Sequence, residues 1–237
     1  MLGGEDIGDQ HRRTVLGPVW ILVSYGLYVG AFIAIFGREA AEGFPLYIAT
    51  GMMVWLVIQE MIIQSASLFI REESFIKGTR LPLTVYILKL SFQTLVRSGY
   101  VAIGWLAIVL TVGLPGPMAW VEFVTGVLLV MVIVPPTITV LAILGALLPD
   151  LQFILQNVMR VGLFLTPIFW LPHGDSIRTA VYRWNPFTYM IEVVRTPILT
   201  AEWPMTAILV CFLIFAVMSV AALVLLAKYR NRIVFAL

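Results

Sequence analysis

Three stripes of polar side chains carry what chemistry this sequence offers. Glu60, Gln64, Ser67 and Arg71 recur at spacings of four, three and four, which puts them on one face of a helix. Gln93, Arg97, Tyr100 and Gly104 share a face in the same way, as do Gln152, Gln156 and Arg160. All three stripes lie in apolar runs. A charge facing lipid is costly, so each stripe must face protein or water. The available chemistry is therefore ion pairing inside a bundle or the lining of a polar pathway. Among the intramembrane charges Glu60, Arg97 and Arg160, either arginine is a candidate partner for the carboxylate.

No motif for bond-breaking chemistry accompanies them. The sequence has no G-x-x-x-x-G-K-[ST] phosphate loop, no H-E-x-x-H and no G-x-S-x-G, the signatures of nucleotide, zinc and serine-nucleophile sites. No catalytic residue is assigned and no metal is expected. Acidic pairs occur at Glu5/Asp6 and Glu72/Glu73, and the two histidines are His11 and His173. Cys211 is the only cysteine, so no disulfide forms within the chain.

The elements that must position these residues are long apolar helices. Of 237 residues, 61% are hydrophobic and 12% charged, about half the charge usual in soluble domains. The net charge of +2 does not suggest nucleic acid. A spanning helix needs about 20 apolar residues, and six runs qualify: residues 18–36, 44–70, 83–112, 120–148, 151–171 and 205–229. Pro149 and Asp150 break what would otherwise be one run from the fourth span to the fifth. The expected fold is an all-α integral membrane protein, one domain over 1–237, with 1–17 an interfacial segment.

Orientation follows the basic residues flanking the spans. Arg12, Arg13, Arg71, Lys77, Arg80, Lys89, Lys228, Arg230 and Arg232 outnumber Arg38, Arg178, Arg183 and Arg195 on the opposite side. Both termini are therefore expected in the cytoplasm. The segment Pro172–Pro204 then lies outside. It is rich in aromatics, including Tyr182, Trp184, Phe187, Tyr189 and Trp203, and is expected to fold back on the membrane surface or dip into it. Within it, Asn185 and Pro186 suit the N-cap and first position of a helix. Phe187, Met190, Ile191 and Val194 fall on one apolar face, Glu192 and Arg195 fall on another at ion-pair spacing, and Pro197 ends the helix. On the cytoplasmic side, Arg71–Pro82 mixes charges with Phe75 and Ile76, as a solvated loop or a partner-docking helix would.

Several runs resemble one family. His11–Trp20 (H-R-R-T-V-L-G-P-V-W), Phe75–Tyr86 (F-I-K-G-T-R-L-P-L-T-V-Y), Leu165–Trp170 (L-T-P-I-F-W) and Tyr182–Leu199 (Y-R-W-N-P-F-T-Y-M-I-E-V-V-R-T-P-I-L) are similar to segments of type-2 ABC transporter permeases. The N-P-F-x-Y-x-I-E-x-x-R core points to the polysaccharide branch, which exports lipid-linked O-antigen, capsule or teichoic-acid chains. The joint at Pro149–Asp150 departs from the Arg-Asp common in that family. The resemblance implies a six-transmembrane-helix ABC-2 exporter fold with an N-terminal amphipathic helix and re-entrant gate helices between helices five and six. It implies a permease without enzyme activity in the cell (inner) membrane. This would be a homodimer bound to two ATPase subunits, which hold ATP and Mg, moving a lipid-linked glycan.

The residues divide accordingly. The substrate pathway and its entrance would use Arg12, Arg13, Trp20, Tyr25, Tyr28, Phe32, Trp55, Phe164, Phe169 and Trp170, because aromatic faces stack on sugars and arginines hold pyrophosphate. ATPase coupling would use Glu72, Glu73, Phe75, Ile76, Lys77 and Arg80. The exit gate would use Trp184, Asn185, Pro186, Phe187, Tyr189, Glu192 and Arg195. Two other classes remain open: an exporter of drugs or small lipids with the same fold, and a membrane enzyme acting on lipid-linked sugars.

Overall fold

In hydrocarbon a backbone must satisfy its own N–H and C=O groups, so the apolar runs fold as helices. The structure, a computed structural model, describes residues 17–36, 43–78, 81–113, 115–171 and 177–236, with side chains described as far as residue 229. Arg12, Arg13, Arg38, Arg80 and His173 lie outside the described residues. All regular elements described are helices: α1 Val19–Phe36, α2 Phe44–Ala66, α3 Leu68–Arg71, α4 Glu73–Gly78, α5 Leu83–Val112, α6 Pro117–Leu147, α7 Leu151–Leu165, α8 Ile177–Trp184, α9 Pro186–Thr200 and α10 Met205–Ala236. Five of them, α1, α2, α5, α6 and α10, are long and apolar enough to cross a membrane. The chain is an all-α, multi-pass membrane protein.

Helix α2 is the axis. Gly43 caps it in the left-handed region at φ 88° and a proline follows in its first turn. It packs against α1, α5, α6, α7 and α9, and 78% of its most apolar window is buried, against 11% for α1 and for α10. Two polar ties hold its neighbours. The Tyr25 hydroxyl donates to the Ala49 carbonyl at 2.9 Å, and Trp105 Nε1 donates to Thr50 Oγ1 at 2.9 Å. Trp105 also stacks on Phe123 of α6, 4.4 Å between centroids. Close approach of backbones does the rest. Gly145 of α6 lies against the Ala66 carbonyl, where any side chain would overlap it.

Three boundaries differ from the sequence expectation. The second span, read as 44–70, stops being one helix at Ala66: Ser67 turns, and α3 and α4 follow as separate short helices. Arg71 nevertheless reaches back to Gln64, to which it donates a hydrogen bond. The fifth span, read as 151–171, is helical only to Leu165. Pro167 pushes the preceding Thr166 into the extended region (ψ 138°), and residues 166–169 bend. At 1.5 Å per residue α7 is about 22 Å long, short of the ~30 Å hydrocarbon core.

The third difference is in the aromatic segment. The start of its second helix is where the sequence reading put it. Asn185 separates α8 from α9 and caps α9, its side chain accepting from Phe187 N at 2.9 Å, with Pro186 in the first turn. Pro197 does not end α9, which continues to Thr200 and closes on Ala201 at φ 54°. The Val193 carbonyl, deprived by Pro197 of its helical donor, lies against Gly126 of α6. Tertiary packing thus holds a helix that local preference would stop.

Candidate functional site

The first two stripes meet. Helices α1, α2 and α5 enclose a half-open cavity of about 440 Å³ lined by Glu60 and Gln64 from one stripe and Gln93 and Arg97 from the other. Glu60 and Arg97 form an ion pair across it. The pair is asymmetric: both residues line the space, but Arg97 is 14% exposed and Glu60 44%. One turn further along α2, Gln64 accepts a hydrogen bond from Arg71. Trp20, Ser24 and Tyr28 of α1 form the opposite wall. The rest of the second stripe diverges, since Gly104 faces the Tyr25 ring.

The third stripe stays apart. Arg160 on α7 is exposed and makes no ion pair or hydrogen bond among the described residues. Gln152 and Gln156 are half-buried and likewise make no hydrogen bond among the described residues. Of all α7 residues only Met159 is buried. Beyond Arg160 lies an aromatic cluster. Phe32 stacks on Phe169 at 5.0 Å between centroids, Phe36 joins at 5.8 Å, and Phe164 meets Phe169 edge-on at 5.8 Å. Trp170 Nε1 donates to the Phe164 carbonyl at 3.0 Å and holds the bend onto the end of α7.

That bend anchors α8 and α9. Asn185 donates to Thr166 Oγ1 at 2.9 Å. Phe187 meets the Trp55 ring edge-on at 5.6 Å, about three turns into α2. Arg195, two turns further along α9, reaches Tyr47 near the start of α2, its guanidinium 3.8 Å above the ring. Helix α9 thus starts beside the middle of α2 and runs back along it toward its beginning. Arg195 is buried and donates to the Pro167 carbonyl at 2.7 Å. It forms no salt bridge with Glu192, contrary to the spacing expectation, because α9 is packed on several sides by α2, α6 and α10 and its polar face is covered too. Tyr189 donates to the Arg183 carbonyl at 2.8 Å. Trp184 is 88% exposed.

The short helices α3 and α4 form a charged end. Lys77 pairs with Glu73 at 2.6 Å and Lys89 with Glu72 at 3.2 Å. Ile76 is buried and roots α4, while Phe75 is 62% exposed and points away.

The aromatics proposed for one pathway are split three ways. Phe32, Phe164, Phe169 and Trp170 cluster, and Trp20 and Tyr28 line the cavity. Tyr25 and Trp55 instead are core residues at 1% and 0% exposure, because they fill the gaps between the axial helix and its neighbours. One polar residue escaped the sequence reading. Glu122, in the second turn of α6, is buried, and one carboxylate oxygen has no hydrogen-bond partner. A lone acid a few residues inside an apolar run was the available signal. No protein-family model matches the chain, and no curated protein matches it.

Proposed function

We propose that the chain is the permease subunit of an ATP-driven ABC-2 exporter that carries a lipid-linked, O-antigen-like polysaccharide from the cytoplasmic to the outer side of the cell membrane. The observation that carries this reading is the stripe on α7. An unpaired guanidinium at Arg160, beside Gln152 and Gln156, is unfavourable against lipid. It calls for a second copy of the chain and a hydrated path between the two. The cluster of Phe32, Phe164 and Phe169 stands next along that path and offers flat faces for sugar rings and a seal when the path is empty.

On this reading α7 and the extended stretch after it make the sixth crossing, and both termini face the cytoplasm. The re-entrant α8 and α9 gate the outer exit. Helices α3 and α4, with Glu72, Glu73, Phe75 and Lys77, contact one of two ATPase subunits that bind ATP and Mg. Arg12 and Arg13 hold the pyrophosphate at the entrance.

The test is reconstitution. The purified chain alone turns over no ATP, and with its ATPase subunit it transfers a lipid-linked glycan across the bilayer only when ATP is present. ATP turnover by the pure chain, or transfer without nucleotide, would overturn the proposal.

A further inference from the structure

The cavity between α1, α2 and α5 is not on the α7 path, and its chemistry describes a ligand of its own. Its charges cancel: the Glu60 carboxylate and the Arg97 guanidinium line the same space and pair with each other. A lone cation or anion entering would meet a charge of its own sign beside the opposite one. A neutral group that both donates and accepts hydrogen bonds suits the wall better. Ser24, Tyr28 and Gln59 line the same space and make no hydrogen bond within the described chain. Ser24 and Tyr28 are open to the cleft, and a ligand that carries hydroxyls would give all three groups hydrogen-bond partners. The Trp20 ring adds a flat apolar face.

A second feature says where such a ligand comes from. Ser24 and Tyr28 also border an apolar trough that continues along α1 past Leu27, Phe32 and Ile35. Head space and tail space therefore share two residues. Glu60 lies six residues from the end of α2, about 9 Å from it, so the head space sits toward the end of that helix, and the trough runs on along α1 away from it. At about 440 Å³ the cavity falls in the ~300–1,000 Å³ range of small-ligand sites, too small for a long glycan.

We infer that this cleft binds the neutral, hydroxylated headgroup of a membrane lipid, a glycosyl or glycerol head, with one of its alkyl chains lying along α1. Hydroxyls of the head donate to Glu60 and bond Gln59, Ser24 and Tyr28. The site requires no ATPase and no transport, so it stands or falls separately from the exporter reading.

The experiment uses the full chain in phosphatidylcholine nanodiscs. A photoactivatable alkyl glucoside is crosslinked and mapped by mass spectrometry, with competitors added. The expected result is saturable labelling on α1 and α5, displaced by octyl glucoside, with methyl glucoside at least about tenfold weaker because it lacks the tail. The Tyr28→Leu/Gln59→Leu chain removes groups that make no hydrogen bond among the described residues, so it keeps its fold and loses labelling about tenfold. Equal displacement by methyl glucoside would assign a free sugar and overturn the lipid. Stronger displacement by octyltrimethylammonium would make this a cation site and overturn the headgroup. Non-saturable labelling would mean a water-filled cleft and overturn the site. If the double variant unfolds, the three competitors on the wild-type chain still decide. Loss of labelling with export intact leaves the exporter reading standing, and labelling intact without any export leaves the site standing.

Discussion

Arg97 is 14% exposed and Glu60 44%, so the two halves of the pair are not equivalent under mutation. Glu60→Gln strips a largely covered guanidinium of its carboxylate and should cost about 3 kcal/mol. Arg97→Gln leaves a carboxylate that already borders the cavity and should cost about 1 kcal/mol. The double neutral variant should be more stable than the sum of the singles implies. Thermal unfolding of the four chains in one detergent measures this, and equal costs with strict additivity would contradict the pairing. Arg160 gives the opposite expectation. It makes no ion pair or hydrogen bond among the described residues, so Arg160→Ala should change stability by no more than about 0.5 kcal/mol. In the proposed dimer it lines the path, so export should fall at least about tenfold; one lost charge-assisted contact is enough. Full export in Arg160→Ala would remove α7 from the path.

At the scale of elements, the α8–α9 pair depends on a few local devices. Asn185 caps α9 and bonds Thr166. Asn185→Ala should cost about 1–2 kcal/mol and free α8 and α9 from the end of α7. Faster hydrogen exchange over Ile177–Thr200 alone would record it, and unchanged exchange there would contradict the anchor. Gly126 and Gly145 touch carbonyls of α9 and α2, whereas a side chain at Gly30 meets nothing within 4 Å. Alanine at either of the first two should destabilise by about 1–3 kcal/mol, and alanine at Gly30 should not, by the same unfolding assay. The start of α9 was legible in the sequence because Asn185 and Pro186 act through their own backbone. Its end was not, because a Val193 carbonyl seated on Gly126 keeps the helix going past Pro197. The sides taken by Tyr25 and Trp55 were also hidden. In a membrane an aromatic residue looks the same in sequence whether it fills the core, faces lipid or lines a path.

At the scale of the whole molecule, long apolar runs made the membrane class and most spans readable, since hydropathy follows the thickness of the bilayer. The meeting of the first two stripes was readable as a need for partners, though not as a cavity with α1 for its third wall. That wall comes from the Tyr25 tie to Ala49, which no spacing announces. The central claim is that this chain carries a lipid-linked glycan outward. The most direct measurement is glycan access to a membrane-impermeant lectin in cells depleted of the chain. The account predicts that the lipid-linked glycan accumulates out of reach until the membrane is permeabilised, and that surface binding returns with the wild-type chain and not with Arg160→Ala. Undiminished lectin binding on intact depleted cells would contradict it.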